Sequence, residues 1–207
     1  MLEYFMKQKI KILSSAKGYD LAANDYDKKE KYLNGFENGQ LVPLFGEVKG
    51  LKILDAGSGT GRLAVELARL GAEVAALDLS EEMLKILRKK NSKIKTVIGD
   101  VENMPFAEGT FDMVVSAFVI VHLKDATEFF DEVYRVLKDG GKFLVTNINQ
   151  KEPPEVETPE GPIKIESYYH RPDKIKEILE SLAFSVEREV FTREGDNWIS
   201  QIVMAKK

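Results

Sequence analysis

The stretch Ile53-Leu54-Asp55-Ala56-Gly57-Ser58-Gly59-Thr60-Gly61-Arg62 decides how this 207-residue chain is read. Its first half has the length and apolar character of a short buried strand. Three glycines on alternate positions follow, and then an amphipathic run from Arg62 to Leu70. Glycines at this spacing let the backbone come close to a ligand, because no Cβ stands in the way. The helix that follows aims its positive end at the same place. A second apolar run, 73–77, ends in Asp78. An acid at the end of a second strand, some 20 residues after the first, is placed to accept both hydroxyls of a ribose. Loop and acid together point to a nucleoside ligand.

The spacing narrows the choice. A dinucleotide fingerprint reads G-x-G-x-x-G, with the third glycine where helix packs on strand. Here the run is G-x-G-x-G, and Arg62 stands where that glycine would be. The turn also lacks the G-x-x-x-x-G-K-[ST] of a P-loop.

Outward from this turn, strand-length apolar runs alternate with helix-length amphipathic segments. Strands are expected near 51–55, 73–78, 94–98, 111–117, 141–148, 184–191 and 198–205, and helices near 61–70, 80–90, 126–137 and 172–182. Ser80 with Glu82-Met83 behind it reads as a helix start, and Lys138-Asp139-Gly140-Gly141 as a stop before the next strand. The alternation implies an α/β fold, a doubly wound and mostly parallel sheet with helices on both faces. The last two runs meet across 192–197, too short for a crossover helix, so they should form an antiparallel hairpin. Trp198, at the start of the last strand, reads as a core residue.

The chain is long enough for one domain with a sizeable core and short for two, so 1–207 is read as a single domain. Within it, 1–45 carries helical patterning and reads as an N-terminal cap. Residues 149–170, with Pro153-Pro154, Pro159 and Gly161-Pro162, read as a lid or insertion on the substrate side. Hydrophobic residues make up 43% and charged residues 31%, as in a globular protein in water. The net charge of −4 argues against a nucleic-acid footprint, which shows as a basic surface. No apolar run is long enough to span a bilayer, and the N-terminus lacks the pattern of a signal peptide. The absence of cysteine rules out disulfides and thiol-held metals, and a cytoplasmic enzyme fits best.

The Asp55-Ala56-Gly57-Ser58-Gly59-Thr60-Gly61 string resembles the first motif of the class I methyltransferases that use S-adenosylmethionine. Four further pieces are similar to the same family, in the same order. They are Gly99-Asp100-Val101-Glu102 after the third strand, the fourth strand Phe111 to Ala117, the turn Leu137 to Phe143, and an upstream segment Tyr19 to Asp27. The likeness covers roughly 19–147 and is strongest to the small-molecule branch that includes quinone and biotin-precursor methylases. It implies seven strands with the last one antiparallel, and S-adenosylmethionine as cofactor.

The resemblance also implies a set of site residues. Asp78, with Leu79 beside it, would hold the ribose, and Asp100, with Val101, the adenine edge. The backbone of Gly57, Gly59 and Gly61 would take the methionyl end. Ser116 and Ala117 end the fourth strand beside the sulfonium and the incoming substrate. Tyr19 and Tyr26 belong to the segment that folds over the cofactor, where a ring gains cation–π attraction to a sulfonium. Asp55 either assists the ammonium or caps the glycine loop, and Met83 either covers the adenine or packs in the core.

Methyl transfer is an in-line displacement in which the enzyme holds a nucleophile about 3 Å from the methyl carbon, in a water-poor pocket. The chain has two histidines, His122 and His170, and both are candidate bases with alternative structural readings. The expected function is methyl transfer to a small organic acceptor, with no metal. A cofactor-binding regulator without turnover is the alternative. An NAD-dependent reductase is disfavoured by Arg62 and by the lack of a Tyr-x-x-x-Lys pair in the fold.

Overall fold

The structure, a computed structural model, describes residues 10–37, 39–159 and 161–207, with the side chains of 29–32 outside the description. In chain order the first elements are β1 (Lys11–Leu13), α1 (Ser15–Tyr26), α2 (Glu30–Glu37), β2 (Lys52–Ala56), α3 (Arg62–Arg69), β3 (Glu73–Asp78), α4 (Glu81–Lys90) and β4 (Lys95–Ile98). They are followed by β5 (Phe111–Ser116), α5 (Thr127–Val136), β6 (Leu137–Ile148), β7 (Glu155–Val156), β8 (Ile163–Ile165), α6 (Pro172–Ser181), β9 (Ser185–Glu194) and β10 (Asn197–Lys206).

Seven strands form the main sheet in the order β4-β3-β2-β5-β6-β10-β9. β10 runs antiparallel to both its neighbours, β6 and β9, and the other pairings are parallel. This is the expected doubly wound sheet, with the strand that is last in sequence wedged one place in from the edge. The order reverses between β2 and β5, and ligands of open α/β sheets bind outside the strand ends at such a point.

Side chains alternate across each strand and so divide between two cores. Leu54, Val114, Phe143 and Val145 face the layer that holds Phe129, Phe130 and Val133 of α5 and Ile175 and Leu179 of α6. Ile53, Met113, Val115 and Leu144 face the other layer, with Leu63 and Leu67 of α3 and Leu84 and Leu87 of α4. Burial on both faces explains why the central strands read as continuous apolar runs. The Ser80 hydroxyl accepts from the Met83 N–H at 3.2 Å, and acids open α4 while basic residues close it, each matched to the helix dipole.

The structure departs from the expectations in three places. Lys138-Asp139-Gly140-Gly141 is not a stop before a strand, because α5 passes directly into β6. The glycine pair lies inside β6, where the register against β5 shifts and Gly140 has φ +76°. A bulge absorbs the extra residues there. Trp198 is half-buried rather than core, tilted against Tyr169 and edge-on to Phe191. The third difference is a second, small sheet, β1-β8-β7, in which β1 pairs parallel with β8 and β7 antiparallel with it.

That sheet joins the two regions that lie outside the main rhythm. The helical patterning of 1–45 is realised in α1 and α2, with residues 1–9 outside the described residues. The 149–170 connection supplies β7 and β8. α1 lies on this sheet over a small core of Ala22, Val156, Ile163 and Ile165. The approach is close at Gly18, where a Cβ would stand 2.8 Å from the Ile165 side chain.

Candidate functional site

A cavity opens at the carboxyl ends of β2, β3, β4 and β5. Its floor is Gly57 and Gly59 after β2, Asp78, Leu79 and Ser80 after β3, and Asp100, Val101 and Glu102 after β4. Ala117, Phe118 and Val119 follow β5, and Met83 comes from α4. Ser15, Ala16, Tyr19 and Tyr26 of α1 close it from above, with His122 and Leu123 at one end.

The three glycines all have left-handed backbones, with φ of +73°, +53° and +88° at 57, 59 and 61. Side chains are strained in that conformation. They do different work. A Cβ at Gly57 would stand 2.1 Å from Val119 Cγ2, and one at Gly61 would stand 2.1 Å from Leu87 Cδ1. Those two glycines let neighbours pack. At Gly59 the nearest atom is Tyr26 Cε1 at 4.0 Å, so it alone keeps space open beneath α1. The amides are more occupied than the loop sequence suggests. Gly57 and Ser58 both donate to the Leu77 carbonyl, at 2.8 and 2.9 Å, and Gly61 donates to the Ser58 carbonyl at 2.9 Å.

Asp78 accepts from Gly59 N–H at 2.7 Å and from Ser80 N–H at 2.8 Å, so its carboxylate joins the strand end to the glycine loop. Burial raises its pKa above the ordinary carboxylate range, against the pull of those amides. Asp100 lines the cavity and accepts from Glu102 N–H at 3.0 Å. Asp55 lies beneath the loop and outside the lining. It accepts from Ala64 N–H at 2.9 Å and thereby caps α3. Its burial pushes its pKa up to about 7, against the nearby Arg62 charge.

Ser116 is buried and donates to the Ala56 carbonyl at 2.9 Å, which ties β5 to β2 just below the cavity. Of the thirteen residues expected around the cofactor, Tyr19, Tyr26, Gly57, Gly59, Asp78, Leu79, Met83, Asp100, Val101 and Ala117 line this cavity. Asp55, Gly61 and Ser116 support it from below.

The two histidines part company. His122 Nδ1 lies 2.8 Å from the Glu166 carbonyl, which only accepts, so Nδ1 carries the hydrogen. Nε2 is then the acceptor, and the Tyr19 hydroxyl donates to it at 2.7 Å. Burial lowers the pKa of His122 below 6.5 and raises that of Tyr19 well above 10, so the pair is neutral at pH 7. Tyr26, edge-on to Tyr19 at 5.6 Å, is pushed up to about 12, mainly by burial. His170 does not line the cavity. Its Nε2 reaches the carbonyls of Ile120 and Leu123 at 2.8 and 2.9 Å, so it pins the short turn that carries His122.

Three acids of the N-terminal segment strap it to the floor. Asp20 accepts from the Ser80 hydroxyl at 2.5 Å, and Asp27 accepts from Thr60 at 2.6 Å and pairs with Lys90 at 2.8 Å. Glu37 takes both guanidinium nitrogens of Arg62, at 2.7 and 2.8 Å. Sequence reasoning missed these contacts, and it missed Ser15, Ala16, Ser80, Glu102, Phe118, Val119 and Leu123 as lining. Ser80 carried a signal, since it opens the helix after Asp78. Phe118 carried none, although its φ of +63° is rare for a non-glycine residue and its N–H is held by Thr146 Oγ1 at 2.9 Å.

Known proteins resemble this chain in sequence and in fold. The Methyltransferase domain family matches residues 54–145. A demethylmenaquinone methyltransferase of Chlorobaculum parvum is 45% identical over 91 residues, which are 44% of this chain and 38% of that protein. A malonyl-[acyl-carrier protein] O-methyltransferase of Pectobacterium atrosepticum is 32% identical over 141 residues, 68% of this chain and 53% of that one. The chain thus spans less than two thirds of either relative. The crystal structure of an S-adenosylmethionine-dependent methyltransferase from Mesorhizobium loti has the same fold. Its TM-score is 0.72 at 21% identity, over 84% of this chain and 100% of that one. Residues 54–145 thus match the Methyltransferase domain family, and the glycine loop, the acid-tipped strands and the strand order belong to a fold shared with the S-adenosylmethionine-dependent methyltransferase of Mesorhizobium loti.

Proposed function

We propose that the chain binds S-adenosylmethionine in the cavity at the strand ends and directs its methyl group to a small organic acceptor. The observation that carries this reading is the charge of the lining. Asp78, Asp100 and Glu102 are there, and no Lys or Arg is among the described lining residues. Such a site suits a nucleoside that bears hydroxyls, an amine and positive charge. The pyrophosphate of a dinucleotide is held by free loop amides at a helix N-terminus, and here the amides of Gly57, Ser58, Gly59 and Gly61 are all donated within the chain, which disfavours a reductase.

When bound, the cofactor supplies a methyl carbon activated by a cationic sulfonium leaving group. The chain's own residues do the holding. In this reading Asp78 accepts the ribose hydroxyls, Asp100 the adenine amino group, and Leu79, Val101 and Met83 face the base. Gly59 leaves room for the methionyl end, and Ser116 and Ala117 end the strand beside the reacting centre. Tyr19 and Tyr26 present aromatic surface to the positive charge. His122 Nε2 is the atom able to take a proton from the acceptor, with Tyr19 relaying it from its own hydroxyl. His170 positions His122 by holding its turn.

The N-terminal segment and 149–170 form the cover of a single domain in this proposal. The net charge of −4 supports a small molecule rather than a nucleic acid as acceptor. The cysteine-free composition supports a cytoplasmic setting. Among the described residues no helix is long and apolar enough to cross a membrane, and no cluster of His, Asp and Glu could hold a metal ion.

The test is transfer of label from methyl-tritiated S-adenosylmethionine to a panel of small phenols, amines and carboxylic acids. A product one methyl heavier is expected. Cofactor binding with no transfer to any acceptor would favour a regulatory protein instead.

A further inference from the structure

A second cavity, of about 500 Å³, adjoins the first and shares Tyr19, Tyr26, Phe118 and His122 with it. One wall is α1 and α2, which add Leu33 and Phe36. The other is the segment after β6, which adds Gln150, Pro154 and Val156. The β1-β8-β7 sheet ties these two walls together, so the cavity exists only because the cover is assembled.

We infer that this second cavity seats the methyl acceptor, and that it selects an uncharged, ring-bearing molecule that offers a hydroxyl or carbonyl oxygen to Gln150. The inference rests on the donor assignment above.

Shape and surface argue for a ring. Tyr19 and Tyr26 meet edge-on at 5.6 Å, and Phe36 and Phe118 meet edge-on at 5.8 Å. These rings lie at or beside the junction with the cofactor cavity, and aromatic bodies favour such offset and edge contacts. Phe118 occupies the junction in a left-handed backbone, a costly conformation of the kind that clusters at ligand sites.

Charge argues for neutrality. Glu152 and Glu155 are exposed on this lining, and no Lys or Arg is among its described residues. Arg62 lies over the Phe118 ring at 5.5 Å, but both its terminal nitrogens are taken by Glu37 and it does not line the cavity. A phosphate or carboxylate would lose water here and gain no partner.

Gln150 argues for an oxygen. Its Nε2 is buried without a hydrogen-bond partner. Buried donors are nearly always satisfied, so an orphan on a cavity wall calls for an acceptor from the ligand. The same N–H group disfavours an ammonium, and the two acids that might attract one are exposed and hydrated.

The experiment uses the full chain saturated with S-adenosylhomocysteine and four probes that share one ring, titrated by fluorescence. They are 2-naphthol, 2-naphthoate, 2-naphthyl phosphate and 2-naphthylmethylamine. The neutral 2-naphthol should bind at least tenfold tighter than the other three, a ranking that needs no variant. Gln150→Leu and Gln150→Glu should each weaken 2-naphthol at least fivefold and leave S-adenosylhomocysteine affinity unchanged. The inference is overturned if 2-naphthol does not bind saturably, if a charged probe binds as tightly, or if Gln150→Leu has no effect. A chain that takes up no S-adenosylhomocysteine refutes the donor assignment itself, whereas uptake without the neutral preference refutes this inference alone.

Discussion

The floor of the site and its cover are built in different ways. The floor is held by contacts close in sequence, such as Asp55 to Ala64 across 9 positions and Asp78 to Gly59 across 19. They rest on two large cores on either face of the sheet. The cover is held by distant polar contacts, Tyr19 to His122 across 103 positions and Asp20 to Ser80 across 60. Among the described residues its own core holds Ala22, Val156, Ile163 and Ile165 as buried residues. Regions with few buried apolar contacts open at lower free energy than the core they lie on. The cover is therefore expected to open at lower free energy than the floor.

Substitutions on each side should separate the two. The largest effect is expected at Asp55, whose pKa burial raises from 3.8 to about 7. Between those values the folded chain keeps a proton that the unfolded chain has released, so stability falls as pH rises through the window. Asp55→Asn removes that dependence. The stability of wild type minus variant, from urea unfolding, should fall by a few kcal/mol from about pH 4 to 7, at about 1.4 kcal/mol per pKa unit. A difference that stays level with pH would contradict the assignment.

Next comes Glu37→Gln, which leaves Arg62 without its buried partner at a cost of about 2–3 kcal/mol, read as a lower urea midpoint. Asp78→Ala should cost roughly 1–3 kcal/mol of cofactor binding, about 5- to 150-fold in calorimetry. Unchanged affinity would move the ribose elsewhere. The smallest effect belongs to Tyr19→Phe, which removes one hydrogen bond worth about 0.5–1.5 kcal/mol. Hydrogen exchange should quicken in α1 and stay unchanged in β2 and β5. Equal quickening in both would mean that cover and floor open as one unit.

The same division explains what the sequence revealed. The floor was legible because its determinants are local. Left-handed turns require Gly57, Gly59 and Gly61, buried strands read as apolar runs, and acids at the ends of β3 and β4 have fixed places after them. The cover was only partly legible. Two-residue and three-residue strands such as β7 and β8 carry no periodicity, and the pairing of β1 with β8 joins residues about 150 positions apart. The roles of Asp20, Asp27 and Glu37 arise from long-range contacts that local sequence does not carry. Gly140-Gly141 misled because a glycine pair marks a bulge as readily as a helix stop. His122 follows the fourth strand in sequence and does face the cavity, whereas His170 holds the turn that carries it.

The proposed occupant of the acid-lined cradle at the strand ends is the sulfonium nucleoside. Calorimetric titration of the folded chain with S-adenosylmethionine and with S-adenosylhomocysteine measures that occupancy. Saturable binding of both is expected at one site per chain, with no comparable binding of NAD. A folded chain that binds neither, or that binds NAD in their place, would contradict it.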